Sequence, residues 1–432
     1  MTTPIAGPDP ISGASVDPSG GPSGGASPGR PGWVVLAALV AGYIGIYLSR
    51  KNLGVAVPLL QDALGATKEE VGRIASAGAL AYAAGKLILG PVVDRIGGRA
   101  GFLLSLAAVA LFGAAGAFVP GLGLLIVVYG LNRFAGAAGW GAMLKLVPTW
   151  FGASRAATVI GFMSLSYVAG GIAATLLARQ IVAAGGGWRA VMGLPSIATV
   201  VIAIPCIFLV RRGPLAETAE LGSGSPRPRS GVADYISLFR KPQFLVVCAL
   251  SFTITLMRES FTTWSIDFLR TIHATRSINT ASLQSIGFDI AGGVAILVSG
   301  AAYDRVAPSR RRFLISGTLA VLAGVLVILP SAAASSPAAG VALMGLVGLL
   351  VYGPYSLLAG VLAVESGGAK LAATSAGIID GIGYVAATLA GSTLGYLLDV
   401  GGYPLGFRAL AAVTAAAAAI ALGLRGGQDA RS

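Results

Sequence analysis

Apolar runs close to twenty residues long recur from residue 33 to residue 424, separated by short polar or glycine-rich stretches. A hydrocarbon core about 30 Å thick needs roughly 20 such residues to cross it as a helix. Backbone amides find no water there, so runs of this length are confined to spanning helices. Charged residues make up 11% of the 432-residue chain, against about 25% in soluble globular proteins. The sequence therefore predicts an all-α polytopic membrane protein. The net charge of +13 points to basic cytoplasmic loops and not to nucleic acid.

Spans are predicted near 33–60, 70–94, 101–119, 122–150, 156–180 and 188–211, and again near 243–271, 281–305, 312–333, 338–365, 370–398 and 405–424. They are numbered here as spans 1 to 12. Residues 212–242 are polar, proline-rich and basic, the signature of a linker between an N-terminal half (33–211) and a C-terminal half (243–424). Residues 1–32 and 425–432 read as cytoplasmic tails. The first, rich in Gly, Pro, Ser and Ala, lacks the charged start and apolar centre of a signal peptide and is expected to be disordered. Arg95, Arg99 and Arg155, the cations of the central linker, and Arg305, Arg310, Arg311 and Arg312 place their loops and both termini in the cytoplasm. The predicted location is the bacterial inner membrane, multi-pass.

The chain repeats itself. GPVVDRIGGR at 90–99 and GAAYDR at 300–305 both follow the second span of a half. Halves of one design enclose a site at their interface near the membrane midplane. In the loop motif Gly90 is read as allowing close helix approach, Asp94 as accepting from helix-end amides, and Arg95 and Arg99 as anchors. Asp304 and Arg305 stand at the equivalent positions. The pattern G-x-x-x-D-R-x-G-G-R resembles the loop signature of the major facilitator superfamily, which implies twelve transmembrane helices in two pseudo-symmetric six-helix halves.

Charge inside the spans carries the functional reading. GYIGIYLSRKN at 42–52 sets Arg50 and Lys51 well inside span 1. A lipid-facing cation there costs about 2.5–3.5 kcal/mol even on the lenient insertion scale. Arg258 occupies the equivalent depth of span 7, 208 residues on, so the pseudo-twofold brings both arginines towards one cavity. Facing guanidiniums repel, and an anion between them relieves the repulsion. Their planar forks suit phosphate or carboxylate. A phosphate near neutral pH carries roughly −1.5 to −2 charge and fits two forks better than one carboxylate does, with a dicarboxylate left open. Tyr43 and Tyr47 share a face with Arg50; Tyr82 and Lys86 lie in span 2, Tyr352 in span 10 and Tyr384 in span 11.

YLSRKNLGVAVPLL, AYAAGK, VYGPYSLLAGVLAVES and GIGYVAA resemble the organophosphate:phosphate antiporter family, whose members include bacterial glycerol phosphate and hexose phosphate carriers. The similarity runs from about 33 to 424, with Arg-Lys-Asn its most diagnostic element. It implies that Arg50 and Arg258 bind the phosphoryl group, and that Lys51, Tyr43, Tyr47, Tyr82, Lys86, Tyr352 and Tyr384 line the substrate path. It also implies a span-1 lysine paired with acids until substrate draws it away, here Lys51 with Asp289 and Glu259, while Glu259 reads equally well as the neutralising partner of its neighbour Arg258.

The chain departs from that pattern at several positions. Ser166 stands where the glycerol phosphate branch has a histidine, and GWGA at 139–142 replaces Gly-Trp-Pro-Pro while keeping Trp140 and, further on, Lys145. Thr263 replaces an aspartate, with Glu259 one turn earlier. Arg133 in span 4 and Asp380 in span 11 have no assigned role; Arg133 is read as pairing with an acid or lining the cavity, and Asp380 as touching the organic part of the substrate. A lone histidine, His273, and two cysteines in apolar spans, Cys206 and Cys248, offer no evident metal cluster. Neither a cofactor nor catalysis is expected, and a monomer is.

The function expected is exchange of an organic phosphate ester for inorganic phosphate by alternating access. A membrane receptor for sugar phosphates and a proton-coupled carrier of organic anions such as carboxylates stand as alternatives.

Overall fold

The structure is a computed structural model that describes residues 30–214, 232–272, 277–367 and 371–424. Both predicted tails, apart from residues 30–32, most of the linker and His273 lie outside the described residues. Among those described, eleven helices are long and apolar enough to cross a membrane. The last, Thr374–Ala421, is 48 residues long, about 72 Å at 1.5 Å per residue and twice a bilayer core. It holds spans 11 and 12, joined through a kink at Gly402 whose φ of 64° only glycine adopts easily. The chain therefore has twelve spans, and the separation expected between residues 398 and 405 is a kink without a loop.

The spans follow a twofold pattern. In the N-terminal half span 4 packs on spans 2 and 3, and span 1 on spans 5 and 6; in the C-terminal half span 10 packs on spans 8 and 9, and span 7 on spans 11 and 12. Spans 3 and 6 pair as spans 9 and 12 do. Across the divide span 1 meets span 7, span 2 meets span 11, and span 5 meets span 8. Exchanging the halves leaves the first of these pairs unchanged and swaps the other two. These are two pseudo-symmetric six-helix halves.

Two faces of the bundle are distinguished by sequence: the side bearing Asp94, Arg95 and Arg305, called here the loop side, and the far side. On the far side the halves are bonded together. Buried Asp267 of span 7 receives Lys68, accepts from Gln61 Nε2 at 3.0 Å and from the Tyr403 hydroxyl at 2.6 Å. Arg270 pairs with Asp62 at 2.7 Å. The Asp399 carboxylate accepts from the amides of Lys68 and Glu69 at 3.0 and 2.8 Å, finishing the N-terminus of span 2 from the opposite half. Gly72 packs against the backbone of Gly391, an approach that any added Cβ would block. The carbonyl of Thr388, at the edge of a one-turn π-helix (Leu389–Thr393), accepts from Ser76 at 2.5 Å.

The loop motif works differently from its sequence reading. Asp94 pairs with Lys145 of its own half at 2.6 Å and not with helix-end amides. Gly90 has nothing within 4 Å of where its Cβ would be; the close approaches belong to Gly98, against Ala142 O at 2.8 Å, and Gly101, against Val93 Cγ2 at 2.8 Å. Arg99 is an anchor: it donates to the carbonyls of Val210 and Ile207 at 2.7 and 3.0 Å, at the C-terminal end of span 6, where a cation complements the helix dipole. Arg95, Asp304 and Arg305 are exposed. The loop-side ion pair of the C-terminal half is Arg311–Glu365 at 2.8 Å, with the Tyr303 hydroxyl on the same carboxylate.

Candidate anion-binding site

Span 1 is interrupted where its charges sit. Helix Arg30–Leu48 stops and helix Leu53–Leu64 starts, leaving Ser49, Arg50, Lys51 and Asn52 between them. Broken helices are tolerated at membrane depth only where protein or water satisfies the freed backbone. Here the Tyr129 hydroxyl donates to the Arg50 carbonyl at 3.0 Å, and Asn52 Nδ2 donates to the carbonyls of Val191 and Met192 at 2.9 and 3.2 Å. Ser49 meets Thr199 at 3.1 Å. Span 6 is itself divided there, into Trp188–Gly193 and Pro195–Leu209. The interruption aims Arg50 and Lys51 inward.

Arg50 and Arg258 converge. Both are 5% exposed, and each donates through Nη2 to the hydroxyl of Tyr384, at 3.3 and 3.1 Å. One arginine comes from each half, and Tyr384 marks their meeting point. Aromatic faces carry the two guanidiniums: Arg50 lies 4.3 Å from the Tyr82 centroid and 5.0 Å from that of Tyr47, and Arg258 lies 4.5 Å from that of Tyr355. Such contacts stabilise a buried cation without neutralising it. The side-chain Nε of Arg258 has no hydrogen-bond partner.

Three carboxylates stand round the pair. Lys51 bonds Asp289 at 2.5 Å, and the Tyr352 hydroxyl donates to the same oxygen at 3.3 Å. Glu259 bonds its neighbour Arg258 at 2.7 Å and lies 3.6 Å from Arg133. Lys86 is paired with Asp380 across the halves. Of the two acids read as partners of Lys51, Asp289 holds it, while Glu259 takes its alternative place on its neighbour Arg258. The unassigned residues acquire places: Arg133 pairs with an acid and lines the cavity, and Asp380 is the counter-ion of Lys86. Lys145 belongs to the loop side with Asp94, away from the cavity. Trp140 stacks at 5.4 Å from Tyr43, which is 5.4 Å from Tyr47.

The cavity has two chambers. The larger is lined by Tyr43, Tyr82, Lys86, Trp140, Arg258 and Asp380 among others. The smaller lies beyond Arg50 and Arg258 and is bounded by Lys51, Arg133 and Glu259. Five cations (Arg50, Lys51, Lys86, Arg133, Arg258) face three carboxylates (Glu259, Asp289, Asp380), a surplus of two positive charges. Tyr129, Tyr167 and Tyr355 also line the chambers and went unread in the sequence. Tyr355 follows Tyr352 by one helical turn, and Tyr167 adjoins Ser166, so proximity to residues already singled out was the available signal.

The sequence profile of the Major Facilitator Superfamily matches residues 39–391. The chain belongs to that superfamily. It is 27% identical over 422 residues to the glycerol-3-phosphate transporter of Haemophilus influenzae, covering 87% of each chain. It is 26% identical over 405 residues to a probable hexose phosphate transport protein of Chlamydia pneumoniae, covering 88% of each. A crystal structure of a bacterial homolog of the human lysosomal transporter Spinster, inward-facing and unoccupied, superposes with a TM-score of 0.73 at 13% identity, over 92% of this chain and 96% of that one. This superfamily chain thus shares its fold with a distant transporter and most of its length with the phosphate-ester carriers.

Proposed function

We propose that this superfamily member is a secondary transporter exchanging an organic phosphate ester for inorganic phosphate by alternating access. The observation that carries the reading is the sharing of the Tyr384 hydroxyl by Arg50 and Arg258, one from each half, on the wall of a cavity. A phosphoryl group entering there replaces one neutral oxygen by three charged acceptors. Its charge of roughly −2 balances the surplus of two positive charges in the site. The names of the similar carriers support the substrate class.

In this reading the loop side is cytoplasmic, as the cation distribution favours, and the far-side bonding at Asp267 and Gly72 closes the site to the exterior. The empty site holds excess charge at membrane depth, where uncompensated charge is costly, so it resists reorientation. A bound phosphate removes that penalty, and exchange becomes obligatory. Lys51 and Lys86, each held by a carboxylate, are the cations free to transfer to the ligand, while Tyr43, Tyr47, Tyr82 and Tyr352 line its path.

Reconstituted proteoliposomes test this. Phosphate loaded inside is expected to accelerate uptake of labelled glycerol 3-phosphate or glucose 6-phosphate, with little uptake into empty vesicles. Ester uptake independent of internal phosphate overturns exchange. Ester binding without flux identifies a receptor, and carboxylate uptake driven by a pH gradient identifies a proton-coupled carrier.

A further inference from the structure

Arg133 and Glu259 are the charged residues of the inner chamber that neither the repeat nor the proposed ligand contacts account for. Glu259 follows Arg258 directly in span 7 and bonds it at 2.7 Å. Its other oxygen lies 3.6 Å from Nη2 of Arg133, which comes from span 4 of the opposite half. That separation is beyond a normal hydrogen bond. Arg133 is 5% exposed, sits with its guanidinium 5.1 Å from the Tyr82 centroid, and keeps a buried Nε with no hydrogen-bond partner. It is a buried cation with donors in reserve, facing a carboxylate occupied elsewhere.

We infer that Arg133 is the acceptor for Glu259 in a ligand-driven charge exchange that ties the two halves together. The inference rests on the exchange reading above. In the empty site Glu259 takes the place of an anion on Arg258. A phosphoryl group arriving at Arg50 and Arg258 competes for the same Nη2 and repels the carboxylate. The other cation within 4 Å of Glu259 is Arg133, and closing the 3.6 Å gap converts a bond within span 7 into one between spans 4 and 7. The loose ion pair between the halves then tightens into a direct hydrogen bond only when ligand is bound, which is what coupling of loading to reorientation requires. Arg133 and Glu259 are positioning residues here: they act on the movement of the halves, and the ligand is held by others.

The two roles separate experimentally when exchange is measured at saturating phosphate, because turnover there no longer reports the strength of binding. Inorganic phosphate is the probe, with binding followed by calorimetry in detergent and phosphate–phosphate exchange followed in proteoliposomes. Arg133→Gln, which removes one of the two surplus positive charges of the site, is expected to weaken phosphate binding and, at saturating phosphate, to exchange it at least about tenfold more slowly than wild type. Glu259→Gln is expected to bind more tightly, Arg258 being released, and to exchange as slowly. The Arg133→Gln/Glu259→Gln pair leaves no unpaired carboxylate, guards against misfolding of the single variants, and is expected to be no slower than either, the non-additivity of residues acting as a unit. Wild-type exchange in Arg133→Gln, or losses that add in the double variant, overturns the inference and leaves the exchange reading intact. Absence of phosphate binding by the wild type removes the exchange reading itself and the inference with it.

Discussion

Lys51 of span 1 and Asp289 of span 8 are joined at 2.5 Å across the interface of the halves, with the Tyr352 hydroxyl completing the carboxylate's shell at 3.3 Å. Both side chains are nearly buried, at 10% and 6% exposure. Breaking such a pair by deleting one partner costs about 3–5 kcal/mol, whereas replacing both with apolar groups is often neutral. Asp289→Asn is therefore expected to lower the melting temperature in detergent markedly, and Lys51→Met/Asp289→Leu to restore most of it. Phosphate exchange is expected to be lost in the double variant despite its recovered stability. Recovery of exchange along with stability refutes a transport role for Lys51.

The two central arginines differ from lysines in shape more than in charge. Arg50→Lys or Arg258→Lys keeps a cation but removes the fork that reaches Tyr384 and, in the proposed complex, two phosphoryl oxygens. Each charged hydrogen bond is worth about 1.5–3 kcal/mol, so each substitution is expected to weaken phosphate binding roughly 10- to 100-fold. Calorimetric titration with phosphate checks it, and melting temperature should not fall in parallel.

The far side is held by Asp267, which gathers Lys68, Gln61 and Tyr403. Asp267→Asn removes a charge from that junction and is expected to shift the population towards the far-side-open state by about 1–3 kcal/mol. A cysteine placed at Ser76, whose hydroxyl bonds the Thr388 carbonyl, reports it through faster labelling by an impermeant maleimide. The native Cys206 and Cys248 are buried and give little background. Unchanged labelling contradicts a latch at Asp267.

Gly72 supplies a steric version of the same test. A side chain at this position meets the backbone of Gly391 and Ser392, and overpacking of this kind costs about 1–3 kcal/mol. Gly72→Val is expected to hold the far side open, raising maleimide labelling at residue 76 while reducing exchange. Normal exchange with normal labelling means that the two backbones need not touch in the transport cycle.

The spans and the twofold repeat were readable because hydropathy and the Asp-Arg loop are local in sequence. So was the convergence of Arg50 and Arg258, which follows from equal depth in equivalent spans. The interruption at residues 49–52 was not, since the group that satisfies its freed backbone comes from another span: the Tyr129 hydroxyl donates to the Arg50 carbonyl. Pairings such as Lys86 with Asp380, 294 residues apart, depend on how the halves face each other. Asp94 misled because its partner, Lys145, lies on a neighbouring span and not in the loop.

Asp399 closes the amide end of span 2 although it belongs to the other half. Whenever the halves part on that side, the amide hydrogens of Lys68 and Glu69 lose their carboxylate and meet solvent. Deuterium uptake at those two positions would then rise with the share of time the far side stands open, an intrinsic gauge of that population written into the backbone without any label.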